Sequence, residues 1–180
     1  QQPIAPTPIN VAEMVATVLE RVGPALRESG IEPQVSLEER LPPIQGDRLQ
    51  LEQVLEQLID NARRAIGSRP GAGRLGVAAS HRGRVQLSVS DDGPGIRREH
   101  LDRLFDPFFT TKGPLGGSSI PGTGLGLFVA YGIVQHHGGT IAVVPVSKDA
   151  IKESAGMLKG DQSLTAALLE SRQEDSARGR

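Results

Sequence analysis

Two glycine-rich motifs and an aromatic motif lie close together between residues 91 and 127. The first reads DDGPGI from Asp91, the second LFDPFFTTK from Leu104, and the third GTGLGL from Gly122. Glycine inside a helix or strand costs conformational entropy and packs nothing, so this much glycine does not suit a core element. A backbone that must approach a ligand closely does require glycine. The pattern therefore predicts a nucleotide pocket with a movable cover.

Asp91 follows an alternating apolar stretch and precedes Gly93 and Gly95. The simplest interpretation is a turn, because Asp-Gly is a frequent turn signal. The functional interpretation is that the carboxylate accepts a hydrogen bond from the exocyclic amine of adenine, while Gly95 leaves room for the flat base. Guanine presents a carbonyl at that position and would leave a buried carboxylate without a donor. Such a group would therefore select adenine.

The glycines at 122, 124 and 126 directly precede an apolar stretch that is typical of a helix. They could form a flexible linker. Alternatively, the exposed backbone N–H groups at the start of that helix could bind phosphate. The spacing matches neither the P-loop nor the Rossmann fingerprint.

Three polar side chains could complete a phosphate site. The amide oxygen of Asn61 suits Mg²⁺, which takes oxygen ligands. Arg64, one turn further on, could neutralise a phosphate, and Lys112 could reach the terminal phosphate. Each residue also has an ordinary interpretation as a polar or charged surface side chain.

The elements that must position these residues can be read from the periodicity. Asp47 can cap a helix, with Gln50 as its reciprocal partner, and a broad apolar stripe follows. Gln57, Asn61 and Arg64 lie along one edge of that stripe. The other predicted elements are a helix from Asn10 that Pro24 kinks or restarts and Gly30 ends, a buried helix at Leu125–His137, and strands at Ile31–Leu37, Arg74–Ser80, Arg84–Ser90 and Thr140–Val146.

The composition bounds the class of protein. The chain has 180 residues, a formal net charge of −1 and no cysteine. This fits one well-buried domain in a reducing compartment, with no field that attracts nucleic acid or an anionic membrane. No apolar run is long enough to span a bilayer. The chain begins with Gln rather than Met, so we expect a piece of a longer protein.

Taken together and in order, the motifs LEQVLEQLIDNARRAI, DDGPGI, LFDPFFTTK and GTGLGLFVAYGIVQHHGGTI resemble the four ATP-site boxes of sensor histidine kinases. That catalytic domain belongs to a superfamily that also contains gyrase and the mismatch-repair ATPases. The resemblance covers Asn10 to Val146. It implies an α/β two-layer sandwich of the Bergerat type, in which a mixed β-sheet packs on three main helices, with a flexible ATP lid at Thr110–Pro121.

The resemblance also implies roles for particular residues. Asn61 would bind Mg²⁺, Arg64 a phosphate, and Asp91 the adenine, while Phe105, Phe108 and Phe109 would pack and anchor the lid. No side chain is assigned a catalytic role, and this includes His81, His100, His136 and His137. The expected ATP contacts are Asn61, Arg64, Asp91, Gly93, Gly95, Ile96, Phe105, Thr110, Thr111, Lys112, Gly122, Thr123, Gly124, Leu125, Gly126 and Leu127.

The sequence departs from the family pattern at three places. ATP-hydrolysing relatives carry a glutamate four residues before the metal-binding Asn, where this chain has Gln57. No histidine is followed by Glu or Asp as the family's acceptor is, so we expect the acceptor on another segment or chain. The last strand is not evident, and Ser163–Leu169 could be a degenerate strand after an insertion or a short helix. We therefore expect a catalytic domain at 1–146 and a divergent segment at 147–180 that ends in a disordered tail.

The implied function is transfer of the γ-phosphoryl group from ATP, with Mg²⁺, to a histidine of a dimerisation and phosphoacceptor domain in a two-component sensor kinase. A response regulator would be the downstream partner. The alternatives are a serine kinase of the anti-sigma-factor kind and a degenerate module that binds a partner without catalysis. We expect a cytoplasmic domain that contacts neither nucleic acid nor membrane, in a parent protein that could be anchored in a membrane.

Overall fold

The computed structural model describes residues 6–67, 73–110 and 123–144, together with the backbone of Ala167–Ser171. In chain order the elements are β1 (Thr7–Ile9), α1 (Val11–Glu28), β2 (Pro33–Leu37), β3 (Ile44–Gly46), α2 (Arg48–Ile66), β4 (Leu75–His81), β5 (Val85–Asp91), α3 (Arg98–Leu101), α4 (Gly126–His136), β6 (Gly139–Ala142) and β7 (Ala167–Ser171).

Five strands form one mixed sheet in the order β2-β4-β5-β7-β6. β2 runs parallel to β4, and the other neighbouring strands are antiparallel. The hairpin β4–β5 pairs Val77 with Val89 and Ala79 with Leu87, and these inward side chains are buried. Alternation of apolar and polar residues places one face of each strand on the core. β1 and β3 form a separate two-stranded ribbon.

The helices α1, α2 and α4 form the second layer. α2 is central, because it contacts α1, α4, β4 and β5. Its buried stripe includes Leu51, Leu55, Leu58 and Ile59, which meet Val15 and Val18 of α1 and the inward side chains of the hairpin in one core. The predicted two-layer α/β sandwich with a mixed sheet is therefore confirmed.

Two predictions about the bounds of the elements need correction. Pro24 does not restart the first helix, since α1 is continuous to Glu28. Pro24 is exposed, as is Glu20, whose carbonyl loses its partner and can bond to water instead. The last strand of the predicted set is shorter than expected and spans Gly139–Ala142.

The helix α4 is less buried than its composition predicts. Within α4, all of which the structure describes, Ala130 and Val134 are buried. Phe128, Val129 and Tyr131 remain 36–42% exposed. The reason is that α4 packs mainly on α2 and β6. Leu127 and Ile133 are partly buried against the core, and Phe128, Val129 and Tyr131 lie on the side that is left partly exposed.

Near the C-terminal end the structure has a strand, β7, at Ala167–Ser171, which overlaps the end of the segment Ser163–Leu169 that was predicted as a strand or a short helix. β7 lies between β5 and β6, where it pairs Leu169 with both Leu87 and Ile141. The division between residues 146 and 147 stays a prediction.

Candidate functional site

The central helix α2 begins with a side-chain cap, which fixes where its polar edge starts. Asp47 Oδ1 accepts a hydrogen bond from the backbone N–H of Gln50 at 3.1 Å. Gln50 Nε2 donates back to Asp47 Oδ2 at 3.3 Å, rather than joining the backbone of Asp47. That backbone N–H instead donates to Nε2 of His137 at 2.9 Å. The reciprocal cap therefore differs from the predicted one. The backbone N–H of Asp47 donates to His137, at the end of α4, and is not bonded to the side chain of Gln50.

Asn61 lies half-buried on the edge of α2, one turn after Gln57. Gln57 Nε2 donates to Asn61 Oδ1 at 3.4 Å. An amide oxygen carries two lone pairs, so Asn61 Oδ1 keeps acceptor capacity for a second partner. This donor set fits Mg²⁺, which is bound by oxygen and retains several waters.

Arg64 is held by a carboxylate of the same helix. Its Nη2 lies 2.7 Å from Asp60 Oδ2, and Arg63 Nη2 lies 2.7 Å from Asp60 Oδ1. Burial raises the pKa of the Asp60 carboxyl, but the hydrogen bonds from Arg63 and Arg64 outweigh it and hold that pKa below its ordinary value. Asp60 is therefore ionised and orients both guanidinium groups.

One donor of Arg64 is left over. Its Nε is buried and has no hydrogen-bond partner among the described residues. A buried donor without a partner is destabilising by about 1–3 kcal/mol, so native proteins rarely retain one without a use. An anionic oxygen such as that of a phosphate would satisfy it.

The Asp91 loop lies against α2. Asp91 Oδ1 accepts from the backbone N–H of Gly93 at 2.9 Å, which closes a tight turn. A side chain at Gly93 would place its Cβ 2.9 Å from the Cβ of Ala65, so only glycine allows the loop to approach this closely. Ala65 lies one turn beyond Asn61. A carboxylate can accept several hydrogen bonds, so the turn bond and an adenine contact are compatible.

The second glycine motif contacts two different parts of the molecule. Gly124 has φ +67°, and a Cβ there would lie 2.4 Å from the carbonyl carbon of Phe108. Gly126 begins α4, and a Cβ there would lie 2.3 Å from Nε2 of Gln57. The N-cap residue Leu125 makes no side-chain capping bond to the first turn of α4, and its own backbone N–H donates to Thr123 Oγ1 at 3.4 Å. The backbone donors of that first turn are therefore suited to an anion.

Between α2 and α4 lies an open cavity of about 210 Å³. Polar side chains line it at Gln53, Gln57 and Thr123. The rest of the lining consists of Val54, Leu125, Gly126, Val129, Ala130 and Ile133. The cavity thus reaches α2 at Gln53 and Gln57 and α4 at its glycine motif, while Asn61, Arg64 and Asp91 are not among its lining residues.

The aromatic motif packs in part as predicted. Phe105 stacks on Tyr131 of α4 at 4.9 Å between ring centroids, and the guanidinium of Arg103 lies 4.9 Å from the ring of Phe109. Phe108 is 73% exposed and has φ +64°, so the prediction that it packs is wrong. Its backbone, not its ring, is what meets Gly124.

Other predicted contacts lie near these elements without forming part of the cavity. Gly95 has φ +75°, as the turn requires, and Ile96 is 44% exposed. Thr110 is exposed at the end of the aromatic segment, and Leu127 packs partly on the core. Thr111, Lys112 and Gly122 lie outside the described residues, as does the lid predicted at Thr110–Pro121 except for its first residue.

Sequence reasoning missed two contacts. The bond from Asp47 to His137 spans 90 positions and has no local sequence signal. The contact of Gln57 with Gly126 could have been anticipated only in part, since Gln57 was placed on the correct edge of α2.

Comparison with known proteins places this site in context. Residues 46–171 match the family described as histidine kinase-, DNA gyrase B- and HSP90-like ATPase. The sensor histidine kinase ZraS of Escherichia coli K12 is 39% identical over 136 residues, which are 75% of this chain and 27% of ZraS. The chain therefore spans about a quarter of that curated relative.

Two solved structures are similar in fold. The catalytic domain of the histidine kinase ThkA aligns with a TM-score of 0.65 and 30% identity over 76% of this chain and 86% of ThkA's. Full-length ShkA in complex with AMPPNP aligns with a TM-score of 0.68 and 25% identity over 93% of this chain and 30% of ShkA. In the part of this chain that the structure describes, no helix combines the length and apolarity needed to cross a membrane.

Proposed function

The chain belongs to the histidine kinase-, DNA gyrase B- and HSP90-like ATPase family, and we propose that it binds Mg²⁺–ATP and donates the γ-phosphoryl group to a histidine of a separate dimerisation and phosphoacceptor domain. One observation carries the proposal. The short stretch Gln57–Ala65 of α2 is contacted by the Asp91 loop at Ala65 and by the second glycine motif at Gln57. The Asp91 loop, the α2 segment that contains Asn61 and the second glycine motif therefore lie close together, which supports their proposed roles toward adenine, Mg²⁺ and phosphate.

Each residue has a distinct task in this proposal. Asp91 accepts from the adenine amine, and Asn61 Oδ1 supplies an oxygen ligand to Mg²⁺. Arg64 donates through its unsatisfied Nε to a phosphate oxygen. The backbone N–H groups around Gly124 and Gly126 bind phosphate at the start of α4.

The protein contributes position and charge neutralisation rather than covalent chemistry. Bound Mg²⁺–ATP supplies the phosphoryl group and spreads its charge, and phosphoryl transfer depends mainly on alignment of donor and acceptor. Gln57 cannot accept a proton from water, because an amide is not a base near neutral pH. Hydrolysis is therefore slow, and transfer to the histidine acceptor is favoured.

The family supports the partners. The AMPPNP that ShkA contains is an ATP analogue, in agreement with ATP as the ligand here. The acceptor domain of the parent protein would present the histidine, and a response regulator would then receive the phosphoryl group. The described residues contain no cluster of three His, Cys, Asp or Glu side chains that could hold a metal. The metal would therefore be held jointly by Asn61 and the nucleotide phosphates.

The test is phosphotransfer to a supplied acceptor. The chain is mixed with the parent protein's dimerisation domain, Mg²⁺ and ATP labelled on the γ-phosphate. We expect label on the acceptor only when the chain is present, and we expect acid to remove it while alkali does not. Acid-stable label would indicate a serine kinase, and absence of label together with absence of nucleotide binding would indicate a non-catalytic module.

A further inference from the structure

His137 joins the two helices that flank the cavity. Its Nε2 receives a hydrogen bond from the backbone N–H of Asp47 at 2.9 Å, and its Nδ1 lies 2.8 Å from the carbonyl oxygen of Ile133. A backbone N–H can only donate, and a carbonyl oxygen can only accept. The proton therefore resides on Nδ1, and both ring nitrogens are satisfied in one neutral tautomer.

The turn before α2 is shaped to receive this ring. A Cβ at Gly46 would lie 2.6 Å from Cδ2 and 3.0 Å from Nε2 of His137. The capping box predicted for α2 would have used the same Asp47 N–H for the side chain of Gln50. Gln50 turns to the Asp47 carboxylate instead. Two residues beside the ring thus accommodate it: Gly46 has no side chain in its path, and Gln50 does not use the Asp47 N–H that donates to His137.

We propose that His137 is a positioning residue for nucleotide binding, which fixes the C-terminal end of α4 against the start of α2. This inference rests on the proposed function. α4 buries Ala130 and Val134, packs Leu127 and Ile133 partly on the core, and has an open cavity beside its start. A hydrogen bond at its C-terminal end therefore adds a directional contact to a limited packed surface. A helix of eleven residues is about 16 Å long and moves as a rigid rod. A tilt at His137 therefore shifts Gly126 relative to Gln57 and Asn61.

The contact acts on one side of the site. The Asp91 loop is supported by β5 and by Ala65, whereas the hydrogen bonds of the His137 ring are made to Asp47 and Ile133. Loss of the His137 contact should therefore weaken binding through the phosphate end and leave the adenine end unchanged. A residue that serves only stability would not show this difference.

Two substitutions at His137 separate the two hydrogen bonds. Asparagine is short, so its amide can replace Nδ1 and keep the Ile133 bond but not the Asp47 bond. Glutamine is longer, so its amide oxygen can reach the position of Nε2 and accept from Asp47. His136→Asn is the matched control, since His136 is adjacent and exposed.

The experiment is calorimetric titration with Mg²⁺–AMPPNP and, separately, with adenosine, alongside thermal unfolding of each variant. We expect His137→Asn to weaken AMPPNP binding about three- to tenfold, the range of one lost hydrogen bond, with adenosine affinity unchanged. His137→Gln should recover most of the loss, and His136→Asn should bind as the wild type does. Equal affinities for the Asn and Gln variants would overturn the inference.

Two further measurements test the proposal if the His137→Asn variant cannot be studied. If His137→Asn does not fold, Gly46→Ala displaces the ring from the other side, and we expect the same selective loss of AMPPNP affinity. Nitrogen-15 NMR of the wild type should show a protonated Nδ1 and a bare Nε2, and the opposite tautomer would refute the contact. A wild type that binds no AMPPNP removes the proposed function and this inference with it, whereas wild-type binding with indistinguishable variants removes the inference alone.

Discussion

The two sides of α2 are built in opposite ways. On the side facing α1, Glu52 is 2% exposed and accepts from Arg48 Nε at 2.8 Å and from Arg21 Nη2 at 2.9 Å. Arg48 also donates to Thr17, and Arg21 also pairs with Glu56, so the network joins both helices. On the side facing α4, Gly126 approaches Gln57 beside an open cavity. Near the end of the same helix, Arg64 Nε is buried without a hydrogen-bond partner among the described residues.

The difference indicates that one side of α2 stabilises the fold and the other side serves the proposed nucleotide site. The hydrogen bond from Arg48 holds the pKa of the Glu52 carboxyl below its ordinary value, against the opposing effect of burial and with help from Arg21. A buried carboxylate that is fully paired fixes the position of α2. On the other side, the described residues leave a buried donor without a partner, as the proposed nucleotide site would require. Changes on the first side should therefore affect stability, and changes on the second should affect binding.

The largest effect on nucleotide affinity is expected at Asp91, the residue proposed to bind adenine. Asp91→Asn should weaken ATP binding by about tenfold to a hundredfold, because a charge-assisted hydrogen bond contributes about 1.5–3 kcal/mol. The unfolding midpoint should change little, since an amide oxygen can still accept from Gly93. Calorimetric titration and thermal unfolding measure the two quantities.

The control for Asp91 is its neighbour. Asp92 Oδ1 accepts from the backbone N–H of Arg74 at 2.8 Å, a bond that an amide can keep. Asp92→Asn should therefore leave ATP affinity intact. Normal ATP binding by Asp91→Asn would show that the adenine contact has been assigned to the wrong residue.

A change at Glu52, on the side of α2 that faces α1, should affect stability and not binding. Glu52→Gln should lower the free energy of unfolding by about 1.5–3 kcal/mol near neutral pH, because hydrogen bonds to a charged group are lost. Nucleotide affinity should not change. Glu56→Gln is the matched control, and it should have a smaller effect because Glu56 is more exposed.

The pH dependence of this deficit has a definite sign. The folded pKa of Glu52 lies below its ordinary value of 4.5, so its stabilisation is present above that value and is lost as pH falls through the folded pKa. Urea unfolding from about pH 7 to about pH 3 should show the wild type and Glu52→Gln converging in acid. A deficit that stays constant across this range would contradict the role of the ionised carboxylate.

A smaller and more local contrast lies between two glycines of one motif. Gly124→Ala combines a positive φ with a collision against the backbone of Phe108, and we expect a loss of about 1–3 kcal/mol in stability. Gly126→Ala meets only the flexible end of Gln57, which can rotate away. Its stability should be nearly unchanged, and its modest loss of nucleotide affinity should be relieved in the double variant with Gln57→Ala. Equal destabilisation by both alanines, measured in urea, would argue against this packing.

The smallest expected effect is a gain of hydrolysis. Gln57→Glu supplies a carboxylate that can accept a proton from water. We expect a rise in phosphate release of less than about tenfold, because the geometry for a general base is not otherwise tuned. Gln53→Glu is the control, since it lines the same cavity one turn earlier. A rise of the same size in both variants would show that position 57 has no special relation to the attacking water.

The features that could be predicted from the sequence are those set by residues close together in the chain. The helix α2 was predictable because its cap at Asp47 and its stripe are adjacent in the chain, and the β4–β5 hairpin was predictable because its strands alternate across a short turn. The insertion of β7 between β5 and β6 was not, since it depends on pairing across a long stretch of chain. The sequence of α4 does not predict which face of the helix is buried, because its apolar residues occur almost all round.

The site shows the same limit. Asn61 and Gln57 share an edge because helical spacing dictates it, and the glycines near Asp91 indicated a close backbone approach. Only the tertiary fold reveals that Gly93 approaches Ala65 and that Gly126 approaches Gln57. The partner of His137 is equally distant in sequence.

The most direct test of the proposed nucleotide site is titration of AMPPNP with and without Mg²⁺ into the wild type, Asn61→Ala and Asp91→Asn. We expect Mg²⁺ to strengthen binding to the wild type and to Asp91→Asn but not to Asn61→Ala, because the carboxylate and the amide are proposed to hold opposite ends of one nucleotide. Mg²⁺ dependence that survives in Asn61→Ala, or wild-type protein that gives no saturable heat, would contradict the proposal.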